Sequence, residues 1–180
     1  MNPKSVEIII SGRVQGVGFR PFVYNLAKKH NLKGFVTNVE KGVYIQAVAN
    51  ENILDTFYNE ILTQKPQSSE IISSLKTDLN STENFDDFVI KPTAPNLLID
   101  IPLTPDFAIC ESCANEILDA ENPRYYYPFT TCTQCGPRYS ITKKFPFERI
   151  NNSIDEFTMC ESCSQEYKNS DDIRFHSQTN

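Results

Sequence analysis

No cysteine precedes Cys110, and nothing in the 180 residues approaches the roughly 20 consecutive apolar residues that a membrane-spanning helix needs. A spanning segment is therefore not expected. The early run Val6-Glu7-Ile8-Ile9-Ile10 is too short for the apolar part of a signal peptide and carries an acid inside it. An excess of positive charge is also missing. The net charge is −6, which argues against nucleic acid and against an anionic membrane surface as partners. The chain reads as cytoplasmic. What is present is an apolar fraction of 39%, adequate for one ordinary domain or two small ones.

All six cysteines fall in the second half, as three Cys-x-x-Cys pairs: Cys110/Cys113, Cys132/Cys135 and Cys160/Cys163. A reducing compartment disfavours a disulfide framework, and repeated pairs of this kind in a cytosolic chain point to zinc ligands. Cys110-x2-Cys113-x18-Cys132-x2-Cys135 supplies four thiolates at zinc-ribbon-like spacing. A four-cysteine site keeps no open position for water or substrate, so the Zn2+ is expected to be structural. The aromatics between the pairs (Tyr125, Tyr126, Tyr127, Phe129) cannot build much of a core alone, so metal is expected to supply folding energy. Residues 106–180 carry seven Lys/Arg against twelve Asp/Glu, which disfavours a nucleic-acid-binding ribbon.

This half also repeats itself at an offset of fifty positions. Cys110-Glu111-Ser112-Cys113 matches Cys160-Glu161-Ser162-Cys163, Glu116 matches Glu166, Arg124 matches Arg174, and Tyr125 matches Phe175. The counterpart of Cys132 in the second copy falls at position 182, past Asn180, so the second module is expected to be truncated. Pairing of ligands within each copy is the simpler reading. A shared metal between Cys132/Cys135 and Cys160/Cys163 is the alternative. His176 aligns with Tyr126, which is no ligand, and is disfavoured as a substitute.

The first half alternates strands and helices. Residues 6–11, 35–39 and 43–49 read as strands, with Val43, Ile45, Ala47 and Ala49 on one face of the third. Residues 21–30 and 51–64 read as amphipathic helices, the first opening on Pro21. Two further strands are expected at about 71–78 and 85–91. The order is that of an α+β, ferredoxin-like βαββαβ domain. Domain 1–91 is followed by a Pro-punctuated linker at 92–105, a first zinc module at 106–149 and a second at 150–180.

Between the first strand and the first helix lies Gln15-Gly16-Val17-Gly18-Phe19-Arg20. A strand, a glycine-bearing loop and a helix N-terminus together present free backbone N–H groups and a positive dipole end, an anion site. Arg20 adds a permanently charged planar fork suited to phosphate oxygens. His30, at a helix C-terminus, reads as structural.

The string Gly12-Arg13-Val14-Gln15-Gly16-Val17-Gly18-Phe19-Arg20 resembles the signature of acylphosphatases. Gly34-Phe35-Val36-Thr37-Asn38 with Lys41-Gly42 resembles that family's second motif. The resemblance implies that Arg20 and the loop amides of 15–20 bind the phosphoryl group and that Asn38 orients the attacking water. Pro105-Asp106-Phe107-Ala108, Arg124-Tyr125-Tyr126-Tyr127-Pro128-Phe129, the segment from Cys132 to Ile141, and Arg174-Phe175-His176 extend the resemblance to the N-terminal part of the hydrogenase maturation carbamoyltransferases, the HypF family. That resemblance implies carbamoyl phosphate as substrate. It also implies a maturation partner whose acceptor cysteine is served by C-terminal domains this chain does not include. A stand-alone acylphosphatase and a non-catalytic zinc-dependent interaction module are the competing readings.

Overall fold

A computed structural model describes residues 3–80, 83–94, 97–98, 100, 104–136 and 138–180. The chain divides into two compact units, Met1–Gln15 with Phe19–Leu103, and Gly16–Gly18 with Thr104–Asn180. Residues 95, 96, 99 and 101–103, part of the expected linker at 92–105, lie outside the described residues, as does Pro137 of the cysteine half.

The first unit contains β1 (Lys4–Arg13), α1 (Phe19–Lys29), β2 (Lys33–Val39), β3 (Gly42–Ala49), α2 (Glu51–Thr63), β4 (Glu70–Leu79) and β5 (Phe88–Ile90). The sheet order is β4-β1-β3-β2-β5. The first four strands pair antiparallel, with Ile10 opposite Val43 and Ile8 opposite Ile45, while β5 lies parallel to β2. This is the expected α+β sheet with two helices, carrying a short fifth strand at its edge.

Period-2 alternation sends Val6, Ile8 and Ile10 of β1, Val36 of β2 and Val43, Ile45 and Ala47 of β3 into the interior. There they join Val23, Leu26 and Ala27 of α1 and Leu54, Phe57 and Ile61 of α2. Each of the larger of these buried side chains, the valines, leucines, isoleucines and Phe57, is worth about 1.5–3 kcal/mol. Asn50 caps α2 by accepting from the Ile53 N–H at 3.0 Å, a bond worth about 1 kcal/mol.

Strands β1 and β2 begin two residues before the expected 6 and 35, and β1 also runs two residues past 11; two other boundary differences have a clear physical reason. Helix α1 starts at Phe19, so Pro21 is its third residue and not its first. The first four N–H groups of a helix have no intrahelical acceptor, so a proline there costs nothing. Strand β5 spans three residues in place of the expected seven at 85–91. After the Lys91 N–H donates to Val36 O at 2.9 Å, Pro92 has no N–H with which to continue the ladder.

The second unit is built from turns and short helices: α3 (Glu111–Leu118), α4 (Glu161–Lys168), and 3-10 turns at Tyr139–Ile141, Arg149–Asn151 and Ser153–Glu156. Among its described residues, sheet pairing is confined to one bridge between Thr142 and Asn152. Each cysteine pair of the fifty-residue repeat opens a helix, with Cys110 and Cys160 in the N-cap positions.

Candidate functional site

Strand β1 leads directly into the loop. Its pairing with β4 shifts register between Ser11 and Gly12, a bulge of the kind that bends a strand end beside a site. Gly16 (φ 72°) and Gly18 (φ 73°) hold left-handed backbone that side-chain-bearing residues resist. Val14, Val17 and Phe19 are buried. The Gln15 amide donates to Val39 O at 2.9 Å and to Gly42 O at 2.7 Å, tying the loop to the turn between β2 and β3. Gln15→Ala strands those two carbonyls. A destabilisation of about 2 kcal/mol is expected in urea unfolding, whereas an unchanged midpoint would show the tether to be idle.

The loop delivers the chain into the N-terminus of α1. That first turn contains no acid to neutralise the positive dipole end. Arg20 lies in the same turn. Asn38 is the penultimate residue of β2, on the interior-facing side shared with Gly34 and Val36, and it is 4% exposed. Both side chains converge on one oxygen. Asn38 Nδ2 donates to Thr93 Oγ1 at 3.2 Å, and Arg20 Nη1 approaches the same atom at 3.5 Å. Among the described residues the buried Asn38 Oδ1 has no hydrogen-bond partner. Arg20 and Asn38 therefore meet beside the N-terminal end of α1. His30 takes no part in that assembly. Its Nε2 lies 2.6 Å from Glu60 Oε2, joining the end of α1 to α2. This pair, with Lys29, holds the Glu60 carboxyl below its ordinary value.

In the second unit the sulfurs of Cys110, Cys113, Cys132 and Cys135 all lie within 4.8 Å of one another and could hold a metal ion. Cys110 Sγ and Cys132 Sγ are 3.6 Å apart, and Cys132 Sγ and Cys135 Sγ are 3.7 Å apart. Four thiolates about 2.3 Å from a tetrahedral ion such as zinc form edges of about 3.8 Å, so the donor set fits. The Cys110 N–H donates to Cys135 Sγ at 3.2 Å. Hydrogen bonding to Cys132 and Cys135, then burial, pushes the Cys113 thiol far up, while hydrogen bonds from Cys113 and Cys132 pull Cys135 far down. Cys132 is lowered by Cys113, but its bond to Cys135 and burial outweigh this, and it is pushed to about 11.

Arg174 of the second copy makes a bidentate pair with Glu116 of the first, and its Nη2 lies 3.9 Å from Cys113 Sγ. Arg124 of the first copy does the reciprocal thing, pairing with Glu166 and approaching Cys163 Sγ at 3.6 Å. The local backbones match as well: Tyr126 and His176 have φ of 52° and 56°, and their N–H groups donate to Ile117 O and Tyr167 O, each at 3.0 Å. Each copy thus lends its arginine to the other's carboxylate and thiol. The Arg174 side chain is only 3% exposed, so Arg174→Met leaves Glu116 uncompensated and is expected to cost roughly 3 kcal/mol. Loss of the donor beside Cys113 is expected to release bound metal to a chromophoric chelator about 10–100 times faster. Unchanged release would separate the arginine from the metal site.

Cys132 and Cys135 close with Cys110 and Cys113, so the first copy gathers its own four sulfurs. Cys160 and Cys163 stand apart at the start of α4, where the Cys163 N–H donates to Cys160 Sγ at 3.5 Å. Among the described residues they join no larger ligand group. The His176 ring packs on Tyr167 and Phe175, with centroids 5.0 and 4.7 Å away. No helix among the described residues is long and apolar enough to cross a membrane.

These geometries can be set beside known proteins. Residues 6–90 match the acylphosphatase family model. Over 90 residues the chain is 45% identical to an acylphosphatase of Pseudothermotoga lettingae, covering 99% of that protein and 49% of this chain. The chain belongs to the acylphosphatase family. Residues 109–142 and 159–180 match a second family, the HypF finger, so the acylphosphatase domain is followed by a HypF finger region. A probable carbamoyltransferase HypF of Methanocaldococcus jannaschii is 44% identical over 81% of the chain, which covers 19% of that relative. A carbamoyltransferase HypF of Synechocystis sp. is 40% identical over 86% of the chain, again against 20% of its own length. The chain therefore spans about a fifth of the carbamoyltransferases it resembles. Its fold superposes with a TM-score of 0.90 and 40% identity on full-length HypF crystallised in a phosphate- and nucleotide-bound form, covering 98% of this chain and 23% of that one. HypF of T. kodakarensis superposes at 0.80 with 36% identity, over 98% of this chain and 22% of that one.

Proposed function

We propose that the acylphosphatase domain hydrolyses carbamoyl phosphate, with Arg20 and Asn38 as its catalytic residues. The observation that carries this reading is their convergence, within 3.5 Å of one oxygen, beside a glycine loop and an acid-free helix N-terminus. Arg20 and the loop amides of residues 15–20 bind the phosphoryl oxygens, and Asn38 Oδ1 accepts a hydrogen of the attacking water. That water's oxygen bonds to phosphorus as the bond from phosphorus to the acyl oxygen breaks. Carbamate leaves as a carboxylate, and the water's second proton passes to the phosphate oxygens, giving dihydrogen phosphate. Carbamate is a good leaving group, so positioning and charge stabilisation suffice without a histidine or carboxylate base.

The carbamoyl substrate is inferred from the carbamoyltransferases that share both halves of the chain. In this reading the hydrolysis is the first step of carbamoyl transfer toward the cyanide ligand of [NiFe]-hydrogenase. Later steps, including delivery to a maturation partner's cysteine, are not assigned to residues 1–180. The setting is cytoplasmic. We infer that the ion held by Cys110, Cys113, Cys132 and Cys135 is Zn2+ in a structural role, with Cys160 and Cys163 as ligands of a second finger. Phosphate release from carbamoyl phosphate by the wild-type chain, set against Asn38→Ala, tests the enzymatic reading. Turnover lost in the variant supports it. Equal background rates in both leave only an interaction module.

A further inference from the structure

The acylphosphatase match ends at residue 90, yet the oxygen shared by Arg20 and Asn38 belongs to Thr93. We infer that Thr93 is a positioning residue of the hydrolytic site, supplied by the segment that follows the domain. The inference rests on the hydrolytic reading above. The segment is pinned where it can do this. The Lys91 N–H donates to Val36 O at 2.9 Å, Thr37 Oγ1 donates to Pro92 O at 3.1 Å, and the Asp100 N–H donates to Glu40 O at 2.8 Å. All three anchors lie on β2 or on the turn after it, the strand that carries Asn38.

An asparagine amide can present either face. By accepting from Nδ2, Thr93 Oγ1 fixes the amide so that the buried Oδ1 remains the acceptor for water. The same oxygen steadies one arm of the Arg20 guanidinium. An alcohol does both, because one oxygen with two lone pairs accepts twice while its proton points elsewhere. Valine keeps the shape and loses the acceptor, whereas serine keeps the hydroxyl.

The test uses the whole chain, with carbamoyl phosphate as substrate and inorganic phosphate as competitive inhibitor. Thr93→Val is expected to lower kcat about tenfold, the scale of one lost hydrogen bond, while phosphate inhibition changes less than twofold. Thr93→Ser is expected to restore most of the rate. A wild-type kcat in Thr93→Val overturns the inference, as does a serine variant as slow as the valine one, which would assign the effect to packing of the methyl group. A wild-type chain without turnover removes the hydrolytic reading itself, and this inference with it.

Discussion

Replacing Arg20 with alanine is expected to lower acyl-phosphate hydrolysis by a factor of about 10³ or more, with thermal stability little changed. The size follows from what an arginine does at a transferring phosphoryl group. Charge spreads over the equatorial oxygens as the acyl oxygen departs, and a fixed guanidinium meets that charge without reorganising. Water entering in its place must be oriented anew in each turnover. Stability is spared because Arg20 is only half-buried, while the interior of the unit rests on Phe19, Val23, Phe57 and their neighbours. Phosphate release by purified variant, with a parallel thermal melt, checks both parts. A folded Arg20→Ala chain with undiminished turnover would remove Arg20 from the site.

Removing the metal is expected to have the other large effect. Among the described residues of 104–180, the buried apolar side chains are few: Pro146, Phe147, Ile154 and Phe175 beside Cys113, Cys132 and Cys135. Such a set cannot offset the backbone entropy of ordering a segment of this length. Structural zinc contributes an apparent 10–16 kcal/mol, roughly, in small fingers near neutral pH. A tight chelator, or Cys113→Ser, should therefore collapse the amide resonances of α3 and its turns, whereas those of β1 to β4 persist. A second unit that keeps its resonance dispersion after complete metal removal would show that its core suffices alone.

Much of this was legible in the sequence, and the parts that were not have physical reasons. Asn38 was legible only through the resemblance of Gly34–Asn38 to the second acylphosphatase motif, and the glycine loop before an amphipathic helix was what pointed to an anion site. The four clustered cysteines were legible from their spacing because metal ligation constrains it closely. The start of α1 was misjudged by two residues, since a proline is tolerated throughout the first turn. The parallel edge strand β5 ended early because Pro92 removed a donor, and a three-residue strand has no periodicity to read. The arginine exchange was half visible: Glu116/Glu166 and Arg124/Arg174 stood at matched positions, but equivalence within a repeat does not say that partners cross between copies. Thr93 gave no signal at all, for its role depends on where a proline-punctuated segment is pinned, a tertiary fact.

In the proposed reaction water attacks phosphorus, held there by Asn38 opposite the acyl leaving group. Turnover of carbamoyl phosphate in ¹⁸O-labelled water, followed by the isotope-shifted ³¹P resonance of the product, tests this directly. Label in the inorganic phosphate at one oxygen per enzymatic turnover is the expected result. Unlabelled phosphate, with the ¹⁸O carried away in carbamate or its carbon dioxide, would place the attack at the carbonyl carbon and contradict the account.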